Sequence, residues 1–291
     1  MRPWFRLALV TIGFTVSSSA YAGFDLSLSI TNPGSLNASQ LSILQNAVAE
    51  AETRWESLIT GYAPGISLAS VSVQVFPTPS TAFAEAFVNS SVTQAGYSLT
   101  TTGLVAINPN TISAFGSWDG SGPTPPNTQF VGVNYIDDLM MHEIGHVLGI
   151  GTQWTANQLY VQGSGQYTGT HGVNAYRNEF DSTATFIPVE LAGGPSARNV
   201  HWDQLMRSSP EEGNPSDPWS LDPRIGIVDS MGRDLGLELM SGALDPDYGE
   251  PFVSQTTIYS LRDLGFTVVP EPSGLALSVL SFGVLVRRRR T

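Results

Sequence analysis

The 291 residues carry 25 acidic against 13 basic side chains and no cysteine, a length that admits one large domain or two small ones. A formal charge of −12 repels a nucleic-acid backbone and excludes DNA or RNA as a partner. Without disulfides, stability must come from the core and from any metal that the chain holds.

Residues 1–22 have the parts of a secretory signal: Arg2 and Arg6, the apolar run LALVTIGFTV, and AYA ahead of Gly23. An exported body starting at Gly23 is therefore expected. Leu41, Leu44, Val48, Ala51, Trp55 and Leu58 recur at the spacing of one helix face, with Asn37 or Ser39 as cap and Gly61 as stop. Val71, Val73 and Val75 alternate with Ser70, Ser72 and Gln74, which predicts a half-buried strand. GLVAIN (103–108) and TQFVGVN (128–134) are further strand candidates, and GSWDGSGPTPPN (116–127) is a turn-rich loop. Helix and sheet together place the chain in the α+β class.

The stretch MMHEIGHVLGIG, Met140 to Gly151, is expected on a helix capped by Asn134, with Asp137 and Asp138 at the positive end of its dipole. At ~100° per residue, His146 lies about 40° and Glu143 about 100° from His142, opposite an apolar stripe of Ile136, Met140, Ile144, Val147 and Leu148. Imidazoles on adjacent turns can share one ion, and a glutamate beside them can take a proton from water that the ion polarises. Gly149 suits a left-handed turn ending the helix. The expected setting is an amphipathic helix flooring an exposed cleft.

A catalytic zinc usually takes three protein ligands and leaves a fourth position to water. The candidates for the third are Glu179 in NEFD, 33 residues after His146, His171 in a Gly/Thr-rich loop, and His201 in VHWDQ. Glu179 lies on a short stretch between loops and His171 in a setting where histidines are usually solvated, which disfavours both without excluding them.

HEIGHVLG resembles the metzincin peptidases, although Thr152 stands where their motif often has its last histidine. Together RWESLITG, VHWDQ, ELMSG and TTIYSLRDLGFTV resemble the leishmanolysin-like metallopeptidases, particularly the short bacterial members. The resemblance implies a zincin/metzincin-like α+β fold: an N-terminal helix and sheet subdomain carrying the HExxH helix, then an irregular C-terminal subdomain. It also implies that His142, His146 and His201 ligate one Zn2+, that Glu143 is the catalytic base, and that the substrates are proteins or peptides. Met240 would form a methionine turn beneath the metal, with Met206 and Met231 as the other methionines nearby. Between His201 and Met240 the chain inserts the acidic, Pro-rich segment 208–224. The absence of cysteine implies that the disulfide-rich extra domain of eukaryotic members is missing, and that no thiol holds the zinc latent.

LDPDYGEP (244–251) has the oxygen ligands calcium would need but not the regular spacing of an EF-hand loop, so solvated acids are the expected reading, and Tyr248 is a further candidate to reach the site. In TTIYSLRDLG, Ile258, Leu261 and Leu264 predict a last helix stopped by Gly265. VPEPSG, the apolar run Gly274 to Val286 and Arg287 to Arg290 then resemble a PEP-CTERM sorting signal. It implies transient membrane engagement through residues 270–291, removal by an exosortase, and the envelope or extracellular matrix of a Gram-negative bacterium. The run falls short of the ~20 apolar residues that cross a bilayer comfortably. Without both ends the domain 23–269 keeps seven arginines against 24 acidic residues, hence a formal charge of −17. The sequence thus reads as an exported zinc-dependent endopeptidase, with a catalytically silent, zinc-stabilised structural or adhesive envelope protein as the alternative. No G-x-S-x-G nucleophile elbow supports another class of hydrolase.

Overall fold

The computed structural model describes residues 23–80, 82–115, 135–191, 194, 197–203, 233, 235, 238–242 and 251–270. The expected secretory signal, the loop 116–127, the strand 128–134, Asn134, Met206, the segment 208–224, Met231, Tyr248 and the tail from residue 271 lie outside them.

Helix α1 (Ala38–Leu58) starts where Asn37 and Gln40 form a capping box, each side chain accepting the other's backbone N–H. Its Leu44, Ala47, Val48, Ala51 and Trp55 are buried. Gly61 does not end it. The β-branched pair Ile59-Thr60 takes the chain directly from the helix into strand β2 (Ile59–Tyr62), where Gly61 lies.

The main sheet contains β1 (Leu26–Ile30), β3 (Val71–Pro77), β4 (Ala84–Gln94) and β5 (Tyr97–Ile107), ordered β1-β3-β5-β4. Strands β1, β3 and β5 run parallel, whereas β4 pairs antiparallel with β5 at the edge. The Val71, Val73 and Val75 stripe is buried as expected, and in register with Leu26, Leu28 and Ile30 on β1. GLVAIN falls within β5 apart from its last residue, Asn108. A hairpin turn at Ala95-Gly96, both at positive φ, joins β4 to β5.

After the short α2 (Pro109–Phe115), helix α3 (Tyr135–Leu148) packs on α1 and the sheet. Trp55 donates its indole N–H to the Met141 carbonyl at 2.9 Å, and Gly103 lets Val147 reach the sheet where a Cβ would overlap it. Every residue from Ile136 to Leu148 is buried. The expected amphipathic helix under an open cleft is thereby corrected, because polypeptide also covers its histidine-bearing face.

Beyond α3 the described chain holds α4 (Thr170–Glu179), α5 (Gln255–Asp263), the small pair β6 (Gln166–Tyr167) and β7 (Ile187–Pro188), and β8 (Phe266–Val268). Trp154 and Trp202 stack with ring centroids 4.5 Å apart, and Tyr167 meets both edge-on. Helix α5 ends at Gly265, whose φ of 92° turns the chain into β8, as its sequence predicts. Strand β8 then pairs antiparallel with β2, joining the end of the described chain to its first half. The architecture is mixed α+β.

Candidate metal centre

Helix α3 ends in a paired turn closed by two hydrogen bonds, Gly149 N–H to the His146 carbonyl and Ile150 N–H to the Gly145 carbonyl, both 3.1 Å. Gly149 supplies the left-handed residue this turn needs, at φ 115°. The turn also aims the Ile150 carbonyl back at the helix, where it accepts His146 Nδ1–H at 2.8 Å. The helix stop therefore orients a functional side chain.

The other two histidines of the cluster are held in the same way. His142 Nδ1 donates to the Leu239 carbonyl at 2.6 Å and His201 Nδ1 to the Ala197 carbonyl at 2.7 Å. A carbonyl only accepts, so each Nδ1 carries the ring proton and each Nε2 presents a lone pair. The Nε2 atoms converge: His142 to His146 is 3.1 Å, His142 to His201 is 3.2 Å, and His146 to His201 is 2.9 Å. Three lone pairs this close, with no proton between them, repel unless a cation sits among them. Bonds of ~2.0–2.1 Å at tetrahedral angles to a central ion would separate such nitrogens by about 3.3–3.4 Å, within a few tenths of what is seen. His142, His146 and His201 are thus a buried triad that could hold a metal ion.

Burial keeps the imidazoles neutral, the state a ligand needs. It pushes His142 down to about 4, against its bond to Leu239. His201 is driven to about 3 by burial and by His142. Burial, then His201, then His142 hold His146 well below the ordinary range. Glu143 follows His142 on α3, and burial together with Glu85 on edge strand β4 pushes its carboxyl up to about 8. The three histidines and Glu143 are each only 6–7% exposed.

Of the other sequence candidates, Glu179 accepts the backbone N–H groups of Gln255 and Thr256 and the Thr256 hydroxyl at the start of α5, far from ligand chemistry. His171 opens α4, its backbone N–H donating to Asp263. Thr152 turns its hydroxyl to the His146 carbonyl at 2.5 Å rather than toward the triad. At the first turn of α3, Arg54 holds Asp138 at 2.8 Å. Asp137, pushed up to about 7 by burial and a bond with Glu50, brings less charge to the dipole than its sequence suggests.

Met240 lies fully buried against the helix: a Cβ built on Gly145 would stand 2.7 Å from its sulfur and 3.1 Å from Trp55. Two supports were missed from sequence. Gly151, at φ 77°, allows the backbone of Val200 to pass so close that a side chain would strike it, which brings the neighbouring His201 to the triad. Glu238, 1% exposed, accepts hydrogen bonds from Met240, Ser254 and Thr257. The only sequence signal for it is one acid inside the apolar run LGLELM.

A scan against protein-family profiles finds no match to this chain, and a search of curated proteins finds none either.

Proposed function

We propose that the chain is an exported zinc endopeptidase of the leishmanolysin-like, metzincin type. The convergence of three Nδ1-anchored histidines beside a glutamate carries the reading. Their donor set fits zinc, for which three imidazoles and an open position are a common catalytic arrangement. When bound there, zinc supplies Lewis acidity to water and to a carbonyl oxygen.

The chain's own groups account for the remaining steps. Glu143 accepts a proton from the attacking water and returns it to the departing amine, as a general base and then acid. A carboxyl that burial raises to about 8 holds a proton readily, which suits the second step, while a neighbouring cation favours its ionised form for the first. Edge strand β4, which packs along α3, leaves one side of its backbone without a strand partner among the described residues, and an extended peptide can be held by pairing there. The proposed export and sorting segments put this activity in the cell envelope or matrix.

One observation favours the second reading, a zinc-stabilised structural protein: the triad and Glu143 are nearly closed from solvent at 6–7% exposure. Hydrolysis of an unfolded protein by zinc-loaded wild type and Glu143→Gln at equal metal content decides between them. Glutamine keeps the shape and loses the base, so activity should fall about 10²- to 10⁴-fold. A zinc-loaded wild type inactive on varied unfolded substrates would sink the peptidase reading.

A further inference from the structure

We propose that Glu238 is a positioning residue for the metal centre: its carboxylate fixes the turn whose Leu239 carbonyl orients His142 and ties that turn to the segment carrying His201. The inference rests on the triad as a metal site and concerns what holds it in shape.

One carboxylate gathers four donors. Oε2 accepts the Met240 N–H at 2.6 Å, while Oε1 accepts the Ser254 N–H at 3.1 Å, the Ser254 hydroxyl at 2.8 Å and the Thr257 hydroxyl at 2.6 Å. The hydroxyls have no freedom to turn elsewhere. Ser254 Oγ accepts the Thr257 N–H at 3.0 Å as the cap of α5, and Thr257 Oγ1 accepts the Trp202 indole N–H at 2.8 Å. Each therefore has its proton left for Glu238.

The two ends of this network meet the ligands. Leu239, next in the chain, accepts His142 Nδ1–H through its carbonyl, and its own N–H is fixed on the Phe252 carbonyl at 2.8 Å. Trp202, next to His201, donates its N–H to the Met240 carbonyl at 3.0 Å and its indole to Thr257. Two of the three ligands, from segments 59 residues apart, are thus referred to one buried acid. Packing alone does not require such an arrangement, since an apolar residue fills space without fixing the direction of a carbonyl.

Glutamine cannot replace it. Whichever way its amide turns, the NH₂ group faces donors, either Met240 N–H or the Ser254 and Thr257 set. The turn should loosen and His142 Nδ1–H should lose part of its partner. Groups that orient a metal-bound histidine typically change affinity about 10- to 100-fold when altered.

The experiment compares Glu238→Gln with Glu179→Gln at pH 8. Glu179 also serves the start of α5 but bonds to no residue of the centre, so it reports the cost of merely weakening that helix. Histidine-ring nitrogen NMR on metal-free protein reads the His142 tautomer, and competition with a chelator reads zinc affinity. Glu238→Gln should mix the His142 tautomers and weaken zinc about 10- to 100-fold. Glu179→Gln should lower the melting temperature and change neither. Equal effects from both variants, or an unchanged tautomer and an affinity within about twofold in Glu238→Gln, would overturn the assignment. Should Glu238→Gln not fold, Ser254→Ala withdraws one hydroxyl donor, and the same shift at smaller size is expected; no shift overturns it. If wild type takes up no zinc, the metal reading fails while the tautomer measurement still decides the role of Glu238.

Discussion

Glu179 and Asp263 cap one another's helices. Helices α4 and α5 pack together, and each ends in a carboxylate that serves the first turn of the other. Asp263 accepts the N–H groups of His171 and Gly172, and Glu179 those of Gln255 and Thr256. Both charges meet the positive end of a helix dipole. Asp263→Asn and Glu179→Gln should each cost about 1–2 kcal/mol, as losses of capping acceptors do. Because the two caps lie at opposite ends of the pair, the double variant should show nearly the sum in chemical denaturation.

Gly145 should not tolerate a methyl group. In an ordinary helix interior, Gly→Ala gains about 0.5–1 kcal/mol. Here the new Cβ would stand 2.7 Å from the Met240 sulfur and 3.1 Å from Trp55, both fully buried. Overpacking of this kind costs about 1–3 kcal/mol, so Gly145→Ala should destabilise on balance. Tighter zinc retention together with higher stability in that variant would show that Met240 can move without consequence.

Stability of the metal-free protein should pass through a plateau rather than rise steadily with pH. Asp137, raised to about 7, and Glu143, raised to about 8, hold protons in the folded state that the unfolded chain has released. Such raised acids stabilise at low pH, and that stability is lost as pH climbs through 7 and 8. The histidines act oppositely. His142 and His201, lowered to about 4 and 3, stay neutral when folded, so the unfolded chain binds more protons below about 6.5 and stability falls there. Lowering the pH from 8 to about 6.5 should therefore strengthen the fold, the next two units should change little, and further acid should weaken it. Denaturation midpoints of chelator-treated protein at pH 8, 6.5, 5 and 4 test the order; a monotonic rise toward pH 8 would contradict it.

What could be read from the residues was what repeats or sits within one helix. The valine stripe of β3, the buried face of α1, the left-handed stops at Gly149 and Gly265, and the pair His142 and His146 depend on local period and local backbone demands. Burial of α3 on all sides was hidden because its covering comes from segments distant in sequence, and Ile59-Thr60 outweighed Gly61 as the end of α1 through a strand partner 209 residues away, Val268 to Ile59. His201 could not be selected by spacing alone: its approach depends on Gly151 and on the bond from His201 Nδ1 to Ala197, neither visible in composition or period. Glu238 lay beyond pattern reading for the same reason, since its partners lie 16 and 19 residues away around a turn.

The ligand set is tested by separating metal affinity from fold stability. Ligand binding to the folded state alone adds about 2.7 kcal/mol at a hundredfold excess over the dissociation constant, so zinc should raise the melting temperature of wild type. His201→Ala removes one of three converging Nε2 atoms, leaving His142 and His146 at 3.1 Å without a third protein nitrogen. That variant should lose the zinc-dependent increment and release zinc on dialysis. Glu179→Ala should melt lower than wild type with or without metal, because a helix loses its cap, yet keep the full increment from zinc. His171→Ala should neither melt lower nor lose the increment, as the bond it makes to the α4 cap comes from its backbone N–H. Loss of the increment in Glu179→Ala, with retention in His201→Ala, would exchange the third ligand and break the proposed triad.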